Sequence, residues 1–186
     1  MTLGKQARTL SDAQVRAALA AVKTPSDRLM ILFSVKAGLR ACEIASITWP
    51  MVLDSEGRVS DVIALQSVVT KGKKGGREIP MHPDIRAVLS EVQAGEGQIV
   101  RDPKGRRYRA GTIAKRFERL YRSLGFQGCS SHSGRRTFIT RGARKITEAG
   151  GSLRDIQQMA GHSSLSTTQA YIEGSSDAKR RVVSMI

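Results

Sequence analysis

The chain has 186 residues and carries 31 Lys and Arg against 16 Asp and Glu, which gives a formal net charge of +15. With 40% hydrophobic and 25% charged residues it has a globular composition, which excludes wholesale disorder and collagen-like or coiled-coil fibres. This excess of positive charge favours a polyanionic partner, with nucleic acid first and a ribosomal or membrane-surface role left open.

The predicted elements begin with two capped helices. Ser11, followed three residues later by a glutamine, forms a capping box and predicts a first helix over about 11–23. Thr24, followed by a proline and an acidic residue, predicts a second helix, which is largely buried because it is apolar along most of its length. Gly38 ends that helix, and a short helix then begins near Arg40 and stops before a Trp-Pro pair.

The middle of the chain changes to the period of strands. The short runs Val62–Leu65, Val68–Thr70 and Glu78–Pro80 predict a small antiparallel sheet, with a cationic connection between the last two. The stretch 94–109, rich in glycine and charge, is expected to be the least ordered and to divide the chain into two lobes.

Helical patterns resume after this sheet and continue to the C-terminus. The predicted helices lie at about 83–94, 110–124, 131–147, 153–160, 166–173 and 176–184. Capping boxes at Ser152 and Ser166 open two of them. The predicted fold class is therefore α+β, mainly α-helical with a small antiparallel β-sheet.

The sequence carries no sign of export or of a metal site. No apolar run is long enough to cross a bilayer and the first residues lack a signal-peptide pattern, so we expect a soluble, cytoplasmic protein. Cys42 and Cys129 lie far apart and belong to no Cys/His cluster, so we expect neither a disulfide framework nor a zinc site.

Several polar residues have the spacing of an anion-binding site. His132 and Arg135 are three residues apart near the start of a predicted helix, where unpaired backbone N–H groups and the helix dipole favour an anion. Arginine offers a planar fork to a phosphate and histidine a donor or a base, so the pair indicates a phosphate site. Glu43, three residues after Arg40, can fix the direction of that guanidinium.

Taken singly, each of these residues also has an ordinary structural explanation. Arg40 fits a surface ion pair, Lys71 a solvated turn lysine, and Tyr171 a core tyrosine on a short helix. Two basic tracts in one short chain, Lys71–Arg77 and Arg101–Arg109, nevertheless favour an anion-binding face.

As an ordered set, the motifs resemble the tyrosine recombinase (phage integrase) family from about Thr9 to about Val183. Four boxes carry the resemblance: an arginine with an acid three residues later, a hairpin lysine, a histidine-x-x-arginine motif, and a glycine-histidine pair followed by a tyrosine. These boxes lie at Leu39-Arg40 with Glu43, at Thr70-Lys71-Gly72-Lys73 with Arg77 and Pro80, at His132 with Arg135, and at Gly161-His162 with Tyr171.

The resemblance implies that family's catalytic-domain fold and a DNA strand transferase that works through a 3′-phosphotyrosyl intermediate, with no metal and no cofactor. The implied catalytic residues are Arg40, Lys71, His132, Arg135, His162 and the nucleophile Tyr171, with Glu43 supporting Arg40. The basic residues expected to contact DNA are Lys73, Lys74, Arg77, Arg106, Arg107 and Arg136.

The resemblance also implies partners and an organisation. These are double-stranded DNA, a homotetramer on that DNA at the nucleoid, exchange of the C-terminal helix between protomers, and no membrane. Residues 1–186 are expected to form one catalytic domain, without the N-terminal core-binding domain that members usually carry.

Two alternatives keep the same fold. A type IB topoisomerase-like domain would nick and reseal DNA as a monomer without pairing sites. Concentration dependence and synaptic complexes would distinguish it from a recombinase. A DNA-binding module without activity is the other alternative, and the presence of all six expected side-chain types speaks against it.

Overall fold

The computed structural model describes residues 7–67, 75–92, 95–171 and 183–184. Within them the chain is mainly helical with one two-stranded antiparallel sheet, which confirms the predicted fold class, and none of the helices there has the length and apolar character to span a membrane. The chain divides into two compact units, Met1–Phe138 and Ile139–Ile186. The predicted strand Val68–Thr70 lies outside the described residues, and so does nearly all of the predicted helix 176–184.

Helices α1 (Asp12–Ala20) and α2 (Pro25–Lys36) begin where the sequence predicted. The backbone N–H of Gln14 donates to Ser11 Oγ at 3.2 Å, and Ser11 N–H donates to Gln14 Oε1 at 2.9 Å, so the capping box is confirmed. In α2 every residue from Leu29 to Val35 is buried. Because each large apolar side chain contributes roughly 1.5–3 kcal/mol when fully buried, this helix is central to the stability of the first unit.

The sheet follows a short helix that begins at the first arginine box. The elements in order are α3 (Ala41–Ser46), a 3₁₀ turn (Trp49–Met51), β1 (Val62–Leu65) and β2 (Arg77–Pro80). The strands are antiparallel, with Leu65 opposite Arg77. Strand β2 begins one residue earlier than predicted, at Arg77, whose side chain extends away from the sheet to pair with Glu43.

Helices α4 (Pro83–Glu91) and α5 (Ala110–Ser123) complete the described elements that lie wholly in the first unit. Ile113, Phe117 and Tyr121 recur every four residues along α5 and are fully buried, whereas most of the charged residues of that helix face solvent. This amphipathic helix packs its apolar face against the first unit and contacts α3.

Residues 95–109 are anchored to the first unit. Ile99 and Val100 are buried, and the backbone N–H of Ile99 donates to the carbonyl of Ile47 at 3.0 Å. The boundary between the two units follows Phe138 instead. The prediction that this stretch divides the chain was wrong, because two apolar residues within a polar segment are enough to bury part of it.

Helix α6 (Ser133–Lys145) crosses the boundary in sequence, while α7 (Leu153–Ala160) and α8 (Leu165–Gln169) belong to the second unit. The cap predicted for the last of these is wrong by two residues. Ser166 lies inside α8, and its backbone N–H donates to Ser164 Oγ at 3.2 Å, so Ser164 is the N-cap.

The turn between α2 and α3 requires glycine for two reasons. Gly38 has φ +66°, in the left-handed region that residues with a side chain rarely adopt. A Cβ at this position would also overlap the ring of Phe138 on α6. The close approach of these elements therefore depends on the missing side chain.

We expect Gly38→Ala to lower the free energy of unfolding by about 2–5 kcal/mol, because a left-handed conformation and overpacking each add a cost. Urea titration of the variant and the wild type measures this loss. Gly57→Ala is the matched control, since Gly57 has φ +76° but open space around it, and it should lose only about 1–2 kcal/mol. Equal losses in the two variants would mean that the Phe138 contact is unimportant.

Candidate active site

A fully buried glutamate joins two arginines in the first unit. The side chain of Glu43 has no exposed surface, and its two carboxylate oxygens accept hydrogen bonds from Nη1 and Nη2 of Arg77, each at 2.9 Å. Arg40 donates to the same carboxylate twice, from Nη1 at 2.9 Å and from its backbone N–H at 2.8 Å. We call Arg40, Glu43 and Arg77 the Glu43 cluster.

The contacts of the Glu43 cluster keep its carboxyl group ionised. Burial alone would raise the pKa of Glu43, but hydrogen bonds and charge from Arg77, followed by those from Arg40, outweigh burial and hold that pKa below its ordinary value. The arrangement also serves the local fold, since Glu43 is the third residue of α3 and accepts from the N-cap backbone. Sequence reasoning predicted the Arg40–Glu43 contact but not the contact with Arg77.

Arg135 approaches the same turn from α6. Its side chain is buried and Nη1 donates to the carbonyl oxygen of Gly38 at 2.6 Å, two residues before Arg40. Arg135 thus binds the backbone of the turn that leads into Arg40. The approach of α6 to α2 is close at Gly134, where a Cβ would overlap Ser34 Oγ.

His132 immediately precedes α6 and is exposed. Its backbone N–H donates to Ser130 Oγ at 3.3 Å, and its carbonyl accepts from the backbone of Arg136 at 2.8 Å, so the backbone here forms the first turn of the helix. The ring nitrogen Nδ1 lies 3.5 Å from Ser131 Oγ. The prediction placed His132 inside the helix start, and the structure places it one residue before α6.

The second unit brings His162 and Tyr171 together. Their rings are stacked with centroids 5.8 Å apart and planes 21° apart. Nδ1 of His162 lies 2.9 Å from the hydroxyl oxygen of the buried Thr168, a contact that fixes the direction of the imidazole. Tyr171 follows the end of α8 in a turn, and does not lie inside the helix predicted over 166–173.

A left-handed glycine sets the direction of the chain before His162. Gly161 has φ +62° and is the C-cap of α7, and the backbone N–H of His162 then donates to the carbonyl of Gln157 at 3.1 Å. Glycine at this position is therefore explained by the helix end itself, and the histidine that follows is held by the same cap.

The predicted DNA contacts have different surroundings. Arg106 is exposed but pairs with Asp102, Arg107 is exposed, and Arg136 is half-buried. Arg77 has both terminal nitrogens on Glu43 and a side chain only 9% exposed. The predicted residues outside the described part of the chain are Lys71, Lys73 and Lys74.

Two contacts were missed by sequence reasoning. Arg77 lies 34 residues from Glu43, and nothing local to either residue indicates that pairing. Thr168 lies six residues after His162, in a helix start rich in hydroxyl groups, so a hydrogen bond to the histidine could have been suggested from the sequence.

The chemistry offered by each unit follows from these contacts. The first unit has one arginine that donates to the Gly38 carbonyl and a second that follows the same turn, and guanidinium groups suit an anion with several oxygens such as a phosphate. The second has a phenol stacked on an imidazole whose direction Thr168 fixes, and a phenol oxygen can act as a nucleophile. Within the described ranges, no three His, Cys, Asp or Glu side chains gather as a metal ion would need.

Comparison with known proteins adds independent findings. The model of the phage integrase family matches residues 8–177. Tyrosine recombinase XerC of Brucella melitensis biotype 1 is 30% identical over 142 residues, which cover 72% of this chain and 42% of that protein. This chain therefore spans less than half the length of that relative.

Two solved structures share the fold. A crystal structure of XerA recombinase has a TM-score of 0.71 and 20% identity, covering 95% of this chain and 64% of that one. XerH site-specific recombinase bound to difH substrate, a pre-cleavage complex, has a TM-score of 0.69 and 20% identity, covering 99% of this chain and 55% of that one.

We expect Glu43→Gln to lower the free energy of unfolding at pH 7 by about 3–5 kcal/mol, because two arginines lose their buried counter-charge. The folded-state pKa of Glu43 lies below 4.5, so its contribution is complete above pH 4.5 and is lost as the pH falls through that lowered pKa. The gap between wild type and variant should therefore narrow only below pH 4.5.

Urea titrations between pH 3 and pH 7 measure this gap. Glu118→Gln is the control, because Glu118 pairs with Arg122 on the exposed face of α5 and its loss should cost less than about 1 kcal/mol. A gap that stays constant with pH in Glu43→Gln would contradict the ionised state of the buried carboxylate.

Proposed function

Because this chain belongs to the phage integrase family, we propose that it is a site-specific DNA recombinase that cleaves and rejoins strands through a 3′-phosphotyrosyl intermediate. The observation that carries the proposal is the turn at Gly38, where the buried Arg135 donates to the backbone two residues before Arg40, and Arg40 in turn contacts Glu43. Negative charge grows on the oxygens of a phosphodiester during attack, and fixed cations at that position stabilise the transition state.

The proposed reaction begins at Tyr171. Its oxygen attacks the phosphorus atom, and the bond from phosphorus to the 5′ oxygen of the DNA breaks. His132 accepts the proton of the tyrosine, and Lys71 donates a proton to the leaving 5′ oxygen, each transfer contributing roughly 10²–10⁴-fold in rate. The phosphotyrosyl bond conserves the energy of the broken bond, so a DNA 5′ hydroxyl can reverse the steps and rejoin a strand.

Three donors stabilise the charged phosphate in this scheme. Arg40 and Arg135 contribute guanidinium forks, and His162 contributes Nε2 of a ring whose direction Thr168 fixes. These donors supply the positive charge that many phosphoryl-transfer enzymes take from metal ions, so we propose that the reaction needs no metal and no cofactor.

The proposed partners follow from the family. We assign double-stranded DNA as the substrate, and the protein acts on it in the cytoplasm at the nucleoid. Four protomers assemble on the DNA, and neighbouring protomers exchange the C-terminal helix. Val183 supports the exchange, because it is 73% exposed and belongs to an apolar C-terminal sequence. The similarity to recombinases favours this function over a type IB topoisomerase-like domain or a binding module.

Replacing the nucleophile gives the most direct chemical prediction. Wild-type protein incubated with DNA from the flanks of its own gene and quenched with denaturant should yield DNA-linked protein, and Tyr171→Phe should yield none. Binding of the variant to the same DNA should be nearly unchanged, because one hydroxyl is removed from a side chain that remains stacked on His162. Tyr108→Phe, which alters a ring beneath Arg116, is the control and should retain the adduct.

Salt dependence tests the exposed basic tract. Each phosphate neutralised by a protein cation contributes a slope of about −0.9 to log K against log salt concentration. Arg107→Gln should therefore reduce the magnitude of the measured slope by about 0.9, whereas Arg58→Gln, which removes an arginine paired with Asp54, should leave it unchanged. An unchanged slope for Arg107→Gln would remove that residue from the DNA contacts.

A further inference from the structure

Arg77 connects the sheet to the first arginine box. It is the first residue of β2, opposite Leu65, and its side chain leaves the strand to reach Glu43. Nη1 and Nη2 donate in parallel to the two carboxylate oxygens, each at 2.9 Å, which is the two-point contact that only arginine among the cations can make. The sheet and α3 are therefore joined by a charged contact of defined geometry.

The carboxylate of Glu43 has its acceptor sites occupied from two directions. Each oxygen accepts one hydrogen bond from the Arg77 fork and a second from Arg40, one from its side chain and one from its backbone. A carboxylate has about four lone-pair sites, so its plane cannot turn without breaking one of these bonds. The direction of the Arg40 contact is thereby fixed through Glu43.

The Glu43 cluster has a net positive charge, and its three side chains differ in exposure. Two guanidinium cations share one carboxylate anion, so the cluster carries excess positive charge. The side chains are 0% exposed at Glu43, 9% at Arg77 and 23% at Arg40, so the member that reaches furthest toward solvent is Arg40. Arg77 makes the two-point contact, and Arg40 makes a single side-chain contact with the carboxylate.

Without Arg77, the buried carboxylate would have only Arg40 to neutralise it within the cluster. Arg40 would then gain by turning inward to make the two-point contact itself, and the excess positive charge would vanish. An arginine drawn inward in this way is a poorer donor to an external anion.

We infer that Arg77 is a positioning residue for strand cleavage, which holds Arg40 in its outward direction by occupying both oxygens of Glu43. The inference rests on the proposed function for its consequence in catalysis. It replaces the expectation that Arg77 contacts DNA, because a DNA contact would require its fork to leave a buried carboxylate. Arg77 acts through Glu43 and Arg40 and touches no reacting atom.

The test separates the rate of cleavage from the affinity for DNA. Arg77→Lys keeps the charge but cannot make the two-point contact, and we expect cleavage at saturating DNA to fall by about 10²-fold, as small misplacements of catalytic groups do. DNA affinity should stay at the wild-type value. A variant with wild-type cleavage at saturating DNA and weakened binding would identify Arg77 as a DNA contact and overturn the inference.

Arg86→Lys is the matched control for a structural arginine beside the same sheet. Arg86 donates to the carbonyls of Val59 and Ser60, just before β1, and lies outside the Glu43 cluster. The Arg86→Lys variant should lose about as much thermal stability as Arg77→Lys but should cleave at the wild-type rate. If Arg86→Lys lost cleavage to the same extent as Arg77→Lys, the effect would be one of stability, and the inference would fail.

A DNA substrate with sulfur at the 5′ bridging position distinguishes two routes of action. Sulfur leaves without help from a general acid, so this substrate should rescue Lys71→Ala. It should not rescue Arg77→Lys, because that variant disturbs Arg40 and not proton transfer to the leaving group. Rescue of Arg77→Lys would mean that Arg77 acts on the lysine hairpin, contrary to the inference.

Two further measurements keep the inference testable if an assay is lost. If wild-type protein forms no adduct, the proposed function fails, and crystal structures of the variants still test the positioning. In Arg77→Lys, Arg40 should turn inward and place two guanidinium nitrogens on Glu43, whereas in Arg86→Lys it should keep its single side-chain contact. An Arg40 side chain that is unchanged in Arg77→Lys would overturn the inference.

The paired variant Glu43→Gln/Arg77→Gln is used if Arg77→Lys does not fold, because it leaves no buried carboxylate without a counter-charge. It should cleave about 10²-fold more slowly than wild type, since Arg40 loses its fixed partner. Cleavage at the wild-type rate would contradict the inference.

Discussion

A carboxylate without exposed surface requires compensating charge, and Glu43 obtains it from two arginines. The connection between β2 and α3 follows from that requirement. Because one arginine opens β2 and the other precedes α3, satisfying the carboxylate joins the sheet to the helix and sets the direction of Arg40. An ion pair that would contribute little at the surface therefore determines where a cation is presented.

Close backbone contacts provide the second constraint. Gly38 allows Phe138 to lie against the turn, and Gly134 allows α6 to approach Ser34. These contacts bring the buried Arg135 within hydrogen-bond distance of the Gly38 carbonyl. The two glycines therefore allow the Arg135 side chain to reach the backbone just before Arg40.

The sequence was informative where the signals are local. The cap at Thr24 and the contact of Arg40 with Glu43 involve residues three apart, and both are present in the structure. The partner of Arg77 was not predictable, because the pairing spans 34 residues and depends on how β2 meets α3. The predicted division of the chain at 94–109 was wrong because the local content of glycine and charge indicated a linker there, whereas Ile99 in that stretch is buried.

We infer that the buried carboxylate of Glu43 holds Arg40 toward a DNA phosphate. A crystal structure of Tyr171→Phe bound to its DNA site would measure the distances from the Arg40 and Arg135 guanidinium groups to the phosphate opposite residue 171. We expect both guanidinium groups to lie at about 2.7–2.9 Å from phosphate oxygens while Arg77 keeps its two bonds to Glu43. A phosphate distant from both arginines, or an Arg77 side chain that has left Glu43 for the DNA, would contradict this inference.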